Sequence, residues 1–144
     1  MNSMPILFVD FDGVLHPTRS DSEERVPYFL WLPHLVNALQ PYPGVRIVVS
    51  STWRHAYPRQ ELVKLLGPLG SRVAGVTPSL SDSTRYAEIK RYAVRANASM
   101  WLALDDDDDG WPSDERHRLI LTNPATGISA PTRIAELSAK LAGK

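Results

Sequence analysis

Five short apolar runs recur along the chain, separated by segments of helical periodicity. The runs cover residues 5–11, 45–49, 72–76, 100–104 and 119–122, the third being the weakest. A strand that is apolar on both faces must be covered on both. Parallel sheets flanked by helices meet that condition, whereas antiparallel sheets usually leave one face to water. Helical spacing appears at residues 28–40 with Pro33 near the start, at 58–66, at 84–97 with Ser83 or Thr84 as N-cap, and at 131–141. The expected fold is therefore α/β: a three-layer, Rossmann-like arrangement with a central parallel five-stranded sheet and helices on both faces. At 144 residues, with no internal repeat and no long linker, residues 1–144 are expected to form a single domain.

Composition removes several chemistries. There is no cysteine, which excludes disulfides, thiol nucleophiles and thiolate metal sites, so any metal must be held by oxygen or histidine. No apolar run approaches the roughly 20 residues that span a bilayer. The N-terminus shows no basic stretch followed by an apolar core, so no membrane partner and a cytoplasmic location are expected. The 16 basic and 16 acidic residues cancel, but the acids are unevenly spread. Five of them are Asp105 to Asp109, and the remaining chain is basic. Most of its cations are arginines, which suit bidentate phosphate contacts.

Parallel α/β sheets bind ligands beyond the carboxyl ends of their strands, so the residues following each run matter most. After the first run come Asp10, Phe11, Asp12 and Gly13. Two carboxylates two residues apart at a strand end suit phosphoryl transfer: one attacks phosphorus, the other handles the proton, and both lie near a divalent cation. Gly13 supplies a tight turn and close backbone approach to a phosphate. After the second run come Ser50, Ser51, Thr52, Trp53 and Arg54. Arg85 opens the helix before the fourth run, and Asp105 to Asp109 follow that run. Carboxylates, hydroxyls and a cation are thus expected on one rim of the sheet. Trp53 with Arg54 offers a ring to stack on and a cation for phosphate.

These residues resemble the motifs of the haloacid dehalogenase-like (HAD) superfamily over essentially the full chain. Asp10-Phe-Asp12-Gly-Val14 is similar to its first motif and Ser50 to its second. Arg85 matches the cation of the third, and Asp105 with Asp106 or Asp109 the acidic fourth. The strings from Asp10 to His16 and from Val48 to Arg54 resemble the HAD domain of Swiss Army knife RNA-repair proteins. The resemblance implies a magnesium-dependent phosphohydrolase working through an aspartyl-phosphate. Asp10 would be the nucleophile and Asp12 the proton-transfer group. Ser50, with Ser51 as its rival, would hold a phosphate oxygen, and Arg85, rather than Lys90 or Arg91, would orient Asp10. Mg2+ would be held by Asp10, the backbone carbonyl of Asp12, and Asp105 with Asp106 or Asp109. Gly13, Ser51, Trp53 and Arg54 would face substrate.

Many members of that superfamily carry a cap domain. Residues 14–44 and 55–83 leave no room for one beyond core elements, so no large cap domain is expected, and the polar segment 18–25 becomes a flap. A capless site implies an exposed phosphate, with RNA or DNA ends and nucleotides as candidate substrates. A small-metabolite phosphatase and a non-catalytic phosphate- or partner-binding module are the alternatives. The oligomeric state is left open.

Overall fold

The computed structural model describes residues 4–18 and 27–143. Its centre is a five-stranded parallel sheet of β1 (Ile6–Val9), β2 (Arg46–Val49), β3 (Val73–Val76), β4 (Trp101–Asp105) and β5 (Leu119–Leu121). Four helices connect and cover it: α1 (Leu32–Leu39), α2 (Arg59–Leu65), α3 (Arg85–Arg95) and α4 (Pro131–Leu141). The strand order is β3-β2-β1-β4-β5. The chain builds outward from β1 on one side, then crosses to build β4 and β5 on the other. The crevice between the ends of β1 and β4 is thus the switch point where such sheets bind ligands.

Side chains alternate across each strand, and the two faces bury separate cores. Leu7, Val9, Ile47, Val49, Leu102 and Leu104 pack with Leu35, Leu39, Leu62 and Leu137, so α1, α2 and α4 share one face. Phe8, Val48 and Ala103 pack with Ile89 and Ala93 of α3 on the other. In α1 the buried residues are Leu32, Leu35, Ala38 and Leu39, the spacing of a single apolar stripe. This is the expected three-layer α/β architecture, and among the described residues no cap domain interrupts it.

The differences from expectation lie at element ends. The first strand stops at Val9, because Phe11 turns inward and is fully buried against Phe29 and Trp53. The first helix begins at Leu32 rather than residue 28. Phe29 is left-handed (φ 61°) and so cannot continue a helix, while Pro33 sits in the first turn. Four 3-10 turns, at Thr52–His55, Gly67–Arg72, Ser113–Arg118 and Gly127–Ser129, are too short to carry a periodic signal. The expected flap, beyond Thr18, lies outside the described residues. No described helix is long and apolar enough to cross a membrane.

Candidate active site

The strand register decides which side chains meet at the rim. Val9 pairs with Val49 and Leu104, and Val49 with Val76. One residue on, the N–H groups of Asp10, Ser50 and Thr77 donate to Leu104, Val9 and Val49 at 3.1, 3.0 and 3.0 Å. Thr77, Ser50, Asp10 and Asp105 therefore form a row across four neighbouring strands. They lie two residues beyond Gly75, Val48, Phe8 and Ala103, on the face that α3 covers. The N-terminus of α3 comes up beside this row. Its N-cap, Thr84, accepts from the Ala87 N–H at 3.1 Å, and Arg85 is its first residue. From there Arg85 Nη1 reaches Asp105 Oδ2 at 3.0 Å and Asp10 Oδ1 at 3.4 Å. Its rivals are elsewhere: Lys90 pairs with Glu115, and Arg91 is exposed.

Asp10, Asp105 and Asp106 each offer an oxygen, and the three atoms lie within 4.8 Å of one another. Burial raises the Asp10 carboxyl well above its ordinary range, and the neighbouring Asp105 adds to the rise while Arg85 opposes it. Burial likewise pushes Asp105 up to about 6, against the pull of Arg85 and the Asp107 N–H, with Asp106 adding to it. Burial works against the charge of Arg85, but Asp105 and Asp10 outweigh it and leave the guanidinium more basic than usual. Three converging carboxylates with a single arginine between two of them fit a hard divalent cation, which takes oxygen donors and would relieve their mutual repulsion.

The choice between Asp106 and Asp109 follows from Gly13. Gly13 has φ +78°, and a Cβ there would stand 2.2 Å from Asp106 Oδ2. The missing side chain lets the Asp106 carboxylate close over the first loop. The expectation was that Gly13 admits a phosphate; the group seen against it is Asp106. Asp109 is exposed and outside the cluster, its N–H donating to Asp107 Oδ1 at 2.9 Å. Gly110 (φ +78°) holds the same loop down, since a Cβ there would meet Thr84 Oγ1 at 2.6 Å.

Asp12 turns its carboxylate away from this cluster, which leaves only its backbone carbonyl for the expected share of the metal. His16 Nε2 lies 2.7 Å from Asp12 Oδ1, and Trp53 Nε1–H donates to both Asp12 oxygens at 3.3 Å. The Phe29 N–H donates to His16 Nδ1 at 3.1 Å. With Nδ1 accepting, the ring proton sits on Nε2 and is donated to Asp12. A histidine beside a proline reads in sequence as ordinary loop, yet His16 is 1% exposed. The signal that identifies it is the fold itself, which brings Phe29 against the ring.

Ser50 and Ser51 separate cleanly. Ser51 Oγ accepts from the Trp53 N–H at 3.2 Å and caps the 3-10 turn. Ser50 Oγ is fully buried in the row and has no hydrogen-bond partner among the described residues. Thr77 Oγ1, next in the row and not singled out from the sequence, is also without a partner among the described residues.

Arg54 does not face substrate as expected. Its side chain is 4% exposed and donates to Thr77 O (3.1 Å), Ser51 O (2.9 Å), Ser50 O (3.3 Å), Pro78 O (3.4 Å) and Glu88 Oε1 (2.8 Å). These bonds occupy the full fork of guanidinium donors and tie the ends of β2 and β3 to α3. Trp111 packs between Tyr86 and Trp101, at 4.8 and 6.0 Å between ring centres.

A family profile described as the HAD domain in Swiss Army Knife RNA repair proteins matches residues 6–132. No curated protein matches the chain. The matched stretch runs from the first residue of β1 into α4 and contains every residue of the rim described above, and the chain belongs to this HAD domain family.

Proposed function

We propose that the chain is a magnesium-dependent phosphomonoesterase in which Asp10 attacks phosphorus and Asp12 transfers the proton. The observation that carries this reading is the division of labour between the two carboxylates. Asp10 converges with Asp105, Asp106 and Arg85, whereas Asp12 is held apart by His16 and Trp53. Asp10, Asp105 and Asp106 would hold the ion, which when bound neutralises phosphoryl charge and so opens phosphorus to an anionic nucleophile. Arg85 fixes the carboxylates of Asp10 and Asp105 through Oδ1 of the first and Oδ2 of the second. The buried Ser50 hydroxyl donates to a phosphoryl oxygen.

In the first step a bond forms from Asp10 to phosphorus, the ester P–O bond breaks, and the Asp12 proton goes to the departing oxygen. In the second, water attacks phosphorus and gives its proton to Asp12. The Asp10–phosphorus bond breaks, phosphate leaves, and both carboxylates return to their starting states. Nucleic-acid ends and nucleotides are the proposed substrates, supported by the description of the family and by the absence of a cap among the described residues.

The test is hydrolysis of a generic aryl phosphate with magnesium and with chelator. Turnover that needs magnesium and falls at least about a thousandfold in Asp10→Asn is expected. No turnover by wild type, or activity retained in Asp10→Asn, would sink the reading. A panel of 5′- and 3′-phosphorylated oligonucleotides, nucleotides and sugar phosphates then ranks substrates. Preference for sugar phosphates contradicts the nucleic-acid assignment.

A further inference from the structure

Beside Asp12 lies a cleft of about 410 Å³ walled by Tyr28, Trp53 and Tyr57, with Asp12, Thr18, Thr52 and Ala56 also lining it. That volume is in the range of small-molecule sites. Tyr28 and Tyr57 are 50% and 44% exposed, and they are two of the few large apolar side chains left open to solvent among the described residues. These two flank Trp53. The Trp53–Tyr57 pair is stacked at 27° with ring centres 5.5 Å apart, and Tyr28 meets Trp53 edge-on at 5.0 Å. The indole N–H is already bonded to Asp12, so Trp53 presents carbon to the cleft. Among the described residues, no lysine or arginine lines it.

We propose that this cleft binds the leaving group of the phosphoester, and that this group carries a flat, uncharged ring, as a nucleoside does. The inference rests on the phosphomonoesterase reading for the identity of Asp12 as the group that protonates the departing oxygen. From Asp12 the leaving group must extend into the space next to that carboxylate, and that space has aromatic walls. Rings of this kind stack flat groups whatever their edge pattern. A strand of several nucleotides would need cations along its backbone, and the described lining has none. The described walls therefore fit one ring rather than a track of phosphates.

The test compares adenosine 5′-monophosphate with glycerol 3-phosphate, which has the same phosphate and no ring. Binding is measured by calorimetry with magnesium, in an Asp10→Asn background that cannot turn over, and kcat/KM is measured in the wild type. The nucleotide is expected to bind at least about fivefold tighter than glycerol phosphate, from one stacked base. Tyr57→Ala should shrink that ratio at least about threefold, and Tyr57→Phe should restore it. Equal binding of the two esters, or a ratio that Tyr57→Ala leaves unchanged, overturns the proposal. If binding follows the prediction while the wild type hydrolyses neither ester, the ring cleft stands and the hydrolase reading fails. If both esters are hydrolysed but the ratio ignores Tyr57, the reverse holds.

Discussion

His16 shows how one buried side chain sets the chemistry of another. The Phe29 N–H fixes the His16 tautomer, and His16 with Trp53 then fixes the Asp12 carboxylate. A proton donor must be aimed, because proton transfer needs hydrogen-bond reach to the departing oxygen. Trp53→Phe and His16→Gln should therefore each lower kcat roughly tenfold or more on an alkyl phosphate, whose leaving group needs the proton. The loss on an aryl phosphate, which departs as a stable anion, should be much smaller. Equal losses on the two esters would mean that both residues are merely structural. Gly13 makes a second residue-level case. Gly13→Ala places a methyl carbon 2.2 Å from Asp106 Oδ2, forcing that carboxylate to move, and strains a backbone at φ +78°. The expected result is a magnesium half-saturation raised about tenfold or more, read by titrating activity with the ion; an unchanged half-saturation would remove Asp106 from the metal site. Neither role is legible in sequence, since each depends on a partner brought in by folding. Arg54 was misread for the same reason: its anchor, Glu88, lies on α3, 34 residues away. Ser50, Arg85, Asp10 and Asp105 were legible because a parallel sheet dictates where strand ends and the following helix starts must lie.

Among the elements, α3 connects stability to the site. It packs Ile89 and Ala93 against Phe8, Val48 and Ala103, and its first turn delivers Arg85 to the carboxylates. Thr84 begins the helix by capping Ala87 N–H and also supports the acidic loop through Gly110. Thr84→Ala should cost about 1 kcal/mol in chemical denaturation, the usual worth of a hydroxyl N-cap, and should weaken magnesium as well. A variant of unchanged stability would show that the cap is idle. The span of α3 was readable from its 3.6-residue pattern and its capping threonine, and α4 from its leading proline. The 3-10 turns were not, because three to six residues hold too few positions to show a period. One of them, Thr52–His55, is what swings Trp53 to Asp12.

For the molecule as a whole, each edge strand of the sheet carries a carbonyl bonded by an arginine. Arg59 donates to Ala74 O at 2.9 Å along β3, and Arg116 donates to Leu119 O at 3.2 Å along β5. Such caps discourage edge-to-edge pairing. The interior compromise is the carboxylate cluster, which costs stability that a bound ion would return. Asp105 has a folded value of about 6 against an ordinary 3.8, so the folded state holds that proton more tightly than the unfolded one. Its contribution to stability is complete below the ordinary value and is lost as pH rises through the folded one. In chelator, this group should therefore make the protein less stable at pH 7 than near pH 5. Magnesium should raise the melting temperature at pH 7, by mass action on the folded state. A melting temperature insensitive to magnesium at pH 7 would count against the cluster as its site. The central claim is more direct: phosphate passes through the carboxylate of Asp10. Quenching the protein during incubation with a phosphoester and reducing it with borohydride converts an acyl phosphate to an alcohol, and peptide mass spectrometry then locates the change. The account predicts homoserine at position 10, only when phosphoester and magnesium are both present. Turnover with position 10 unmodified, or with the label at Asp12, would contradict it.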